Sequence, residues 1–237
     1  LIVSATALFA SCSKDGIDLT DSSNLNGRTS AIFNNSLSYG VVTDADGNIY
    51  KTIKIGDKTW MAENLRTTIL NDSTSINWIP DEDVWASVSS SGYCNYNNTK
   101  SLDTIATFGR LYNWYAVDSE ILAPEGWHIA TLEEWQELAN IVGGASAAAG
   151  ILREAGLTHW MSDSFISSNM YGFTALPSGN RSNEGVYQNL GGSAYWWAAD
   201  TYNTYYAYRM AITSGSNELV EGYLHKRFGF AVRCVKD

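Results

Sequence analysis

The sequence predicts an α+β fold: short strands first, two helices near the middle, and strands again at the end. Three observations carry this. The pairs Asp46-Gly47 and Gly56-Asp57 separate runs rich in Val, Ile, Thr and Tyr, the pattern of consecutive hairpins. Beyond Thr131, residues Leu132, Trp135, Leu138, Ala139 and Val142 recur at helical spacing. The closing stretch RFGFAVRCVKD alternates Phe228, Phe230, Val232 and Cys234 on one face, as a core strand does.

Taken in order, the first sheet holds Ile49, Lys51, Ile53 and Ile55 on one face of its middle strand. Residues 67–107 show no period and are expected to be long loops pinned by Trp78, Trp85 and Tyr93. RLYNWYAVD reads as a short helix. Thr131 with Glu134 three residues on forms a capping box, and this accounts for the glutamates of LAPEGWHIATLEEWQEL without catalysis. Gly143-Gly144 stops that helix, and a second, Ala-rich one is expected from about Ala145 to Glu154, ending at Gly156. Turn signals at Pro177-Ser178-Gly179, Asn183-Glu184-Gly185 and Gly191-Gly192 then divide aromatic strands.

With 237 residues, 45% of them hydrophobic, including 9 Trp and 14 Tyr, the chain can bury a substantial core in one large domain. A formal net charge of −10, with 15 Lys and Arg dispersed along the chain, argues against a nucleic-acid partner. Residues 1–12 begin with the apolar run LIVSATALFA and are expected to be a truncated signal region of a lipoprotein. Phe9-Ala10-Ser11-Cys12 resembles a bacterial lipobox, with Cys12 as the lipidated residue. The alternative is a plain cleaved signal followed by a chance cysteine. Two or three acyl chains on Cys12 would anchor the protein stably in a membrane. Residues 13–38 are polar and aperiodic and are expected to form a flexible tether, whose Ser-Lys-Asp start is similar to a surface-export signal. The globular domain is then 39–237. The expected location is the outer membrane or cell surface, lipid-anchored and exposed to the periplasm or exterior.

The sequence singles out no catalytic residues, cofactor site or metal site. His128, His159 and His225 lie in none of the HxxxH, HExxH or HxH spacings, and GxSxG is absent. With 25 acidic residues a glycosidase-like carboxylate pair has no distinguishing mark. DADGN, residues 44–48, looks like the start of a Ca²⁺ loop but lacks the later bidentate Glu, so a hairpin turn is the better reading. An enzyme is therefore the weaker class. The unexplained feature is aromatic. Trp196, Trp197, Tyr202, Tyr205, Tyr206 and Tyr208 crowd a short stretch, more rings than a core strand requires. Of the two tryptophans, one is expected in the core. Trp197, Tyr202, Tyr205, Tyr206 and Tyr208 are the candidate ligand-binding aromatics, suited to sugar rings or a partner surface.

DADGNIYKTIKIGDKTWMAENLRTT, GRLYNWYAV, APEGWHIATLEEWQEL, YGFTALPSGNRSNEGVY, YWWAAD and GFAVRCVKD occur here in the order found in the Fibrobacter succinogenes major paralogous domain (FISUMP) family. The chain resembles that family over roughly 41–237. The resemblance implies a secreted or lipid-anchored bacterial protein of unassigned activity. It also implies a distant similarity to the C-type-lectin-like fold with its formylglycine-generating-enzyme branch. Ala130, Leu132 and Lys58 depart from the residues usual in the family, and Ala123 stands where some relatives carry the Cys that would pair with the position of Cys234. With Cys12 lipidated, Cys94 and Cys234 remain as an even pair, for which a disulfide is expected; the alternative is two free thiols, one of them a small buried hydrophobe. The resulting expectation is a lipid-anchored adhesion or binding module with a glycan or surface protein as partner. The alternative is a structural or tip subunit of a surface appendage.

Overall fold

The computed structural model describes residues 24–161 and 167–237. In chain order its strands and helices begin with β1 (Gly40–Thr43), β2 (Ile49–Ile55), β3 (Lys58–Met61), β4 (Asn77–Trp78), α1 (Glu82–Ser87), β5 (Gly92–Cys94), α2 (Leu102–Phe108), β6 (Leu111–Tyr112) and α3 (Trp114–Val117). They continue with β7 (Trp127–Ile129), α4 (Leu132–Ile141), α5 (Ala145–Leu152), β8 (Ser178–Arg181), β9 (Tyr187–Leu190), β10 (Ser193–Thr201), β11 (Tyr206–Thr213), β12 (Leu219–His225) and β13 (Cys234–Lys236). The architecture is α+β and mostly sheet. One sheet runs β1-β2-β3-β13-β7, a second β12-β11-β10-β8-β9, and a third β4-β5-β6.

The predicted hairpins form. At the first, Asp44 exchanges backbone hydrogen bonds with Gly47 and Asn48. At the second, Gly56 has φ +62°, and a Cβ there would fall 2.5 Å from Ile141 Cδ1 of α4, so glycine is needed both for the turn and for the helix above it. Strand β2 is buried on both faces: Ile53 and Ile55 enter one core cluster and Tyr50 another.

The capping box of α4 is present in full. Glu134 N–H donates to Thr131 Oγ1 at 3.2 Å, and Thr131 N–H donates to Glu134 Oε2 at 2.9 Å. The apolar stripe Trp135, Leu138 and Ala139 packs into the main core. There Trp60, Trp135, Trp196 and Phe173 meet edge-on or tilted, with ring centroids 5.1–6.0 Å apart. Helix α5 ends at Leu152, earlier than predicted. Arg153 leaves the helix at ψ 150° and Glu154 N–H donates to Ala175 O, so bonds to the segment before β8 replace the last helical turn.

Two sequence expectations need correction. Residues 67–107 are not plain loops, since β4, α1, β5 and most of α2 lie within them; Trp85 and Tyr93 are buried as pins, whereas Trp78 is exposed and packs on Tyr93. Nor is all of 13–38 a tether. From Asn24 onward the segment is docked as a strap: Leu25 packs with Ile105 and Ala106 on α2, and Phe33 and Leu37 pack on the main core. Ser30 N–H donates to Thr107 Oγ1, and Asn34 Nδ2 donates to Asn169 O. Side chains satisfy its backbone in place of a ladder, which is why periodicity did not reveal it. Residues 13–23 lie outside the described residues.

Irregular segments are tied down by buried arginines. Arg233 donates to Asn64 Oδ1 and to the carbonyls of Met61, Phe173 and Thr174. Arg181 donates to the carbonyls of Ile79, Pro80, Asp81 and Gly185, its guanidinium 4.6 Å from the Trp85 ring and 4.8 Å from that of Tyr187. The planar fork of five donors lets one side chain close several loop carbonyls at once. The closing stretch keeps its predicted alternation: Phe228, Phe230, Val232 and Cys234 face one cluster, Ala231 and Val235 the other. Only Cys234–Lys236 forms a strand, because Gly229, Phe230 and Ala231 bridge in turn to Arg181, Tyr112 and Trp196 and so stitch the three sheets together.

Candidate functional site

The aromatic run divides along β10. Trp196 and Trp197 are both completely buried, on opposite faces. Trp196 Nε1 donates to Asn64 Oδ1 and Trp197 Nε1 to Tyr112 O, while the Trp197 ring lies 4.5 Å from Phe230. Trp197 is therefore removed from the candidate ligand-binding set. The expectation of one inward tryptophan assumed a sheet covered on a single face, whereas β10 has core on both.

The tyrosines are displayed. After Trp197 the register of β10 and β11 shifts, and the chain turns through 202–205. Asn203 Oδ1 accepts from the backbone N–H groups of Tyr205 and Tyr206 and fixes this turn. The β11–β12 register then opposes Tyr206 to His225 and Tyr208 to Tyr223, on one sheet face. The Tyr202 and Tyr223 rings stack at 3.8 Å and 5°, with Tyr208 edge-on to Tyr202 at 5.5 Å and Tyr206 edge-on to Tyr223 at 6.1 Å. Tyr205, Tyr223, Tyr202 and Tyr206 are 65%, 48%, 44% and 38% exposed, and Tyr208 is half-buried.

Helix α4 defines where this face opens. Leu132 N–H donates to Asp200 Oδ2 and Gln136 Nε2 donates to Glu221 Oε2, so α4 covers the Met210 and Leu219 end of the sheet and stops short of the tyrosines. The Tyr223 hydroxyl beside Tyr202 holds the Tyr202 phenol above its ordinary pKa. Burial and then Arg227 hold His225 below the usual imidazole value, which leaves it neutral at pH 7. The rings thus form an uncharged, amphipathic surface. Tyr223 and His225 were missed by sequence reasoning. The signal was present in LVEGYLH, whose alternate residues Leu219, Glu221, Tyr223 and His225 share a face, but only the pairing shows which strand lies opposite.

The expected Cys94–Cys234 disulfide is not formed. Both thiols are free and buried, Cys94 in the third sheet and Cys234 in the first, in separate core clusters. Burial pushes the Cys94 thiol up to about 11 and that of Cys234 higher still. Cys12 lies outside the described residues.

His128 is a linked side chain. Its Nδ1 lies 2.6 Å from Asp237 Oδ1 and its Nε2 2.9 Å from Glu134, whose Oε1 also accepts from Lys58 Nζ at 3.0 Å. Burial alone would pull the imidazolium down, but the bonds to Asp237 and Glu134 outweigh it and raise its pKa. This network joins β3, β7, α4 and the chain's last residue. At 44–48, the Asp44 carboxylate accepts from Asn48 N–H, Asn48 Nδ2 and the Tyr50 hydroxyl, protein donors where a Ca²⁺ loop would have a cation. Among the described residues no three His, Cys, Asp or Glu side chains gather as a metal site.

Fold and site together define an α+β domain with an aromatic face displayed at one sheet edge. The chain belongs to the Fibrobacter succinogenes major domain family, whose model matches residues 53–236. No curated protein and no solved structure gives a match.

Proposed function

We propose that this domain is a binding module displayed at the bacterial cell surface through lipidated Cys12, and that it recognises glycans through the tyrosine face of β11 and β12. The observation that supports this reading is the joint exposure of Tyr202, Tyr205, Tyr206 and Tyr223 beside the half-buried Tyr208. Large rings left in water have no packing reason to cluster. They give contact area at low conformational cost, and their hydroxyls supply hydrogen bonds to a sugar. The fold we propose is C-type-lectin-like: helices are inserted between N-terminal strands and a C-terminal strand that share one sheet, as β1, β2, β3 and β13 do.

The test is a polysaccharide array probed with the chain from Asn24 onward. Binding that is lost in Tyr206→Ala and Tyr223→Ala, with unchanged thermal unfolding, is the expected result. Silence across polysaccharides would shift the reading to a structural or tip subunit. A Cys12→Ala protein that still partitions with membranes would refute the anchor.

A further inference from the structure

We propose that Ser30, His159 and Glu154 form an acyl-transfer relay on the docked strap, with Ser30 as nucleophile, His159 as its general base and Glu154 as the residue that positions the base. Ser30 Oγ lies 3.0 Å from His159 Nε2, and His159 Nδ1 lies 2.6 Å from Glu154 Oε1. Glu154 is completely buried, the His159 side chain is 12% exposed, and Ser30 faces solvent. The nucleophile is accessible while the groups behind it are shielded.

The tautomer of the imidazole follows from the contacts. A carboxylate only accepts, so Nδ1 carries the imidazole proton and Nε2 is left to accept from the Ser30 hydroxyl. The ring has little freedom. Glu154 Oε1 also accepts from His159 N–H at 3.1 Å, Glu154 Oε2 accepts from Ile32 N–H at 3.1 Å, and Phe108 stands edge-on to the imidazole at 5.5 Å. Ser30 is held from the other side: Thr107 Oγ1 donates to Asp103 O at 2.7 Å, accepts from Ser30 N–H at 3.0 Å, and lies 3.0 Å from Ser30 Oγ, so that the Ser30 hydroxyl proton is shared between Thr107 Oγ1 and His159 Nε2 until substrate arrives. The next amide, Ala31 N–H, bonds to Thr29 Oγ1 at 3.2 Å and can exchange that long bond for a developing oxyanion.

The substrate class is a small carboxylic ester approaching from solvent. Ser30 Oγ bonds to the acyl carbon as its proton passes to His159 Nε2; the ester C–O bond breaks, and the alkoxide takes that proton as it leaves. Water then attacks the acyl-serine, His159 accepts its proton and returns it to Ser30 Oγ, and an acid and an alcohol have formed from ester and water. Sequence separation hid the constellation. Ser30 and His159 lie 129 residues apart, with Ser30 in the expected tether.

The test uses the full chain with a fluorophosphonate probe, which forms a Ser–phosphorus bond and expels fluoride, and with p-nitrophenyl acetate. The expected result is one phosphonylated residue, mapped to Ser30 by peptide mass spectrometry and absent in Ser30→Ala, an exposed site whose change leaves thermal unfolding unaltered. Labelling should slow about 100-fold in His159→Ala. Glu154→Gln should slow labelling as well, and Glu154→Asp should restore part of the rate. No label on Ser30, or equal labelling rates with and without His159, would overturn the relay and leave these contacts as a latch for the strap.

Discussion

The two ends of one aromatic run behave oppositely. Trp196 and Trp197 sit mid-strand in β10, with core on both faces of the sheet, and are completely buried; Tyr202, Tyr205 and Tyr206 lie at the exit of the same strand and at the start of the next, and stand in water. The rings are similar in size and apolar content. What differs is cover: α4 and the closing 228–236 stretch lie over the tryptophans, whereas the first turn of α4 meets Asp200 and the helix runs away from there, leaving the tyrosines beyond it uncovered. An aromatic cluster becomes core or surface according to where the covering elements end, and composition does not report that.

The comparison can be broken at its buried end first. Trp196→Ala removes a ring packed among Trp135 and Phe173 together with its bond to Asn64, and should cost about 3 to 5 kcal/mol in urea unfolding. A cost near that of an exposed site would mean that Trp196 is not core. Thr131→Ala removes the α4 cap that fixes where cover stops, and should cost about 1 kcal/mol. Tyr202→Ala should cost less, within about 1 kcal/mol, through loss of the Tyr223 stack, and should act on binding far more than on the unfolding midpoint. A large stability loss at Tyr202 would make the face structural.

Two smaller effects sharpen the picture of what is covered. Cys94 and Cys234 should stay unreactive toward a thiol reagent in the native protein and react after unfolding, with an intact mass unaffected by reductant. His128 has a folded-state pKa above its unfolded value. Its contribution to stability is therefore fully present below about pH 6.5 and lost as pH rises through the folded value. The difference in urea midpoint between native and His128→Ala chains should shrink with rising pH, and a difference that is flat across this window would disprove the assignment.

Much of the fold was legible wherever a local rule sufficed. The capping box at Thr131, the Gly143-Gly144 stop, the hairpins at Asp46-Gly47 and Gly56-Asp57, and the alternation of Phe228 to Cys234 all rest on contacts within a few residues or on side-chain period. The strap was illegible because its partners, Thr107, Glu154 and Asn169, are distant and bond it through side chains. The tyrosine site was half legible: Tyr202, Tyr205, Tyr206 and Tyr208 stood out in sequence, but Tyr223 and His225 join them only through the β11–β12 register.

By itself the sequence determined the α+β class, the capped central helix, the family and the surplus of aromatic residues, because propensity, periodicity and turn chemistry act at short range. Tertiary structure alone decided that both tryptophans are core, that both cysteines stay unpaired, that the polar N-terminal segment docks from Asn24, and that Ser30 meets His159. Each of these depends on which distant surface lies opposite. That is set by how sheets and helices cover one another, and no local pattern encodes it.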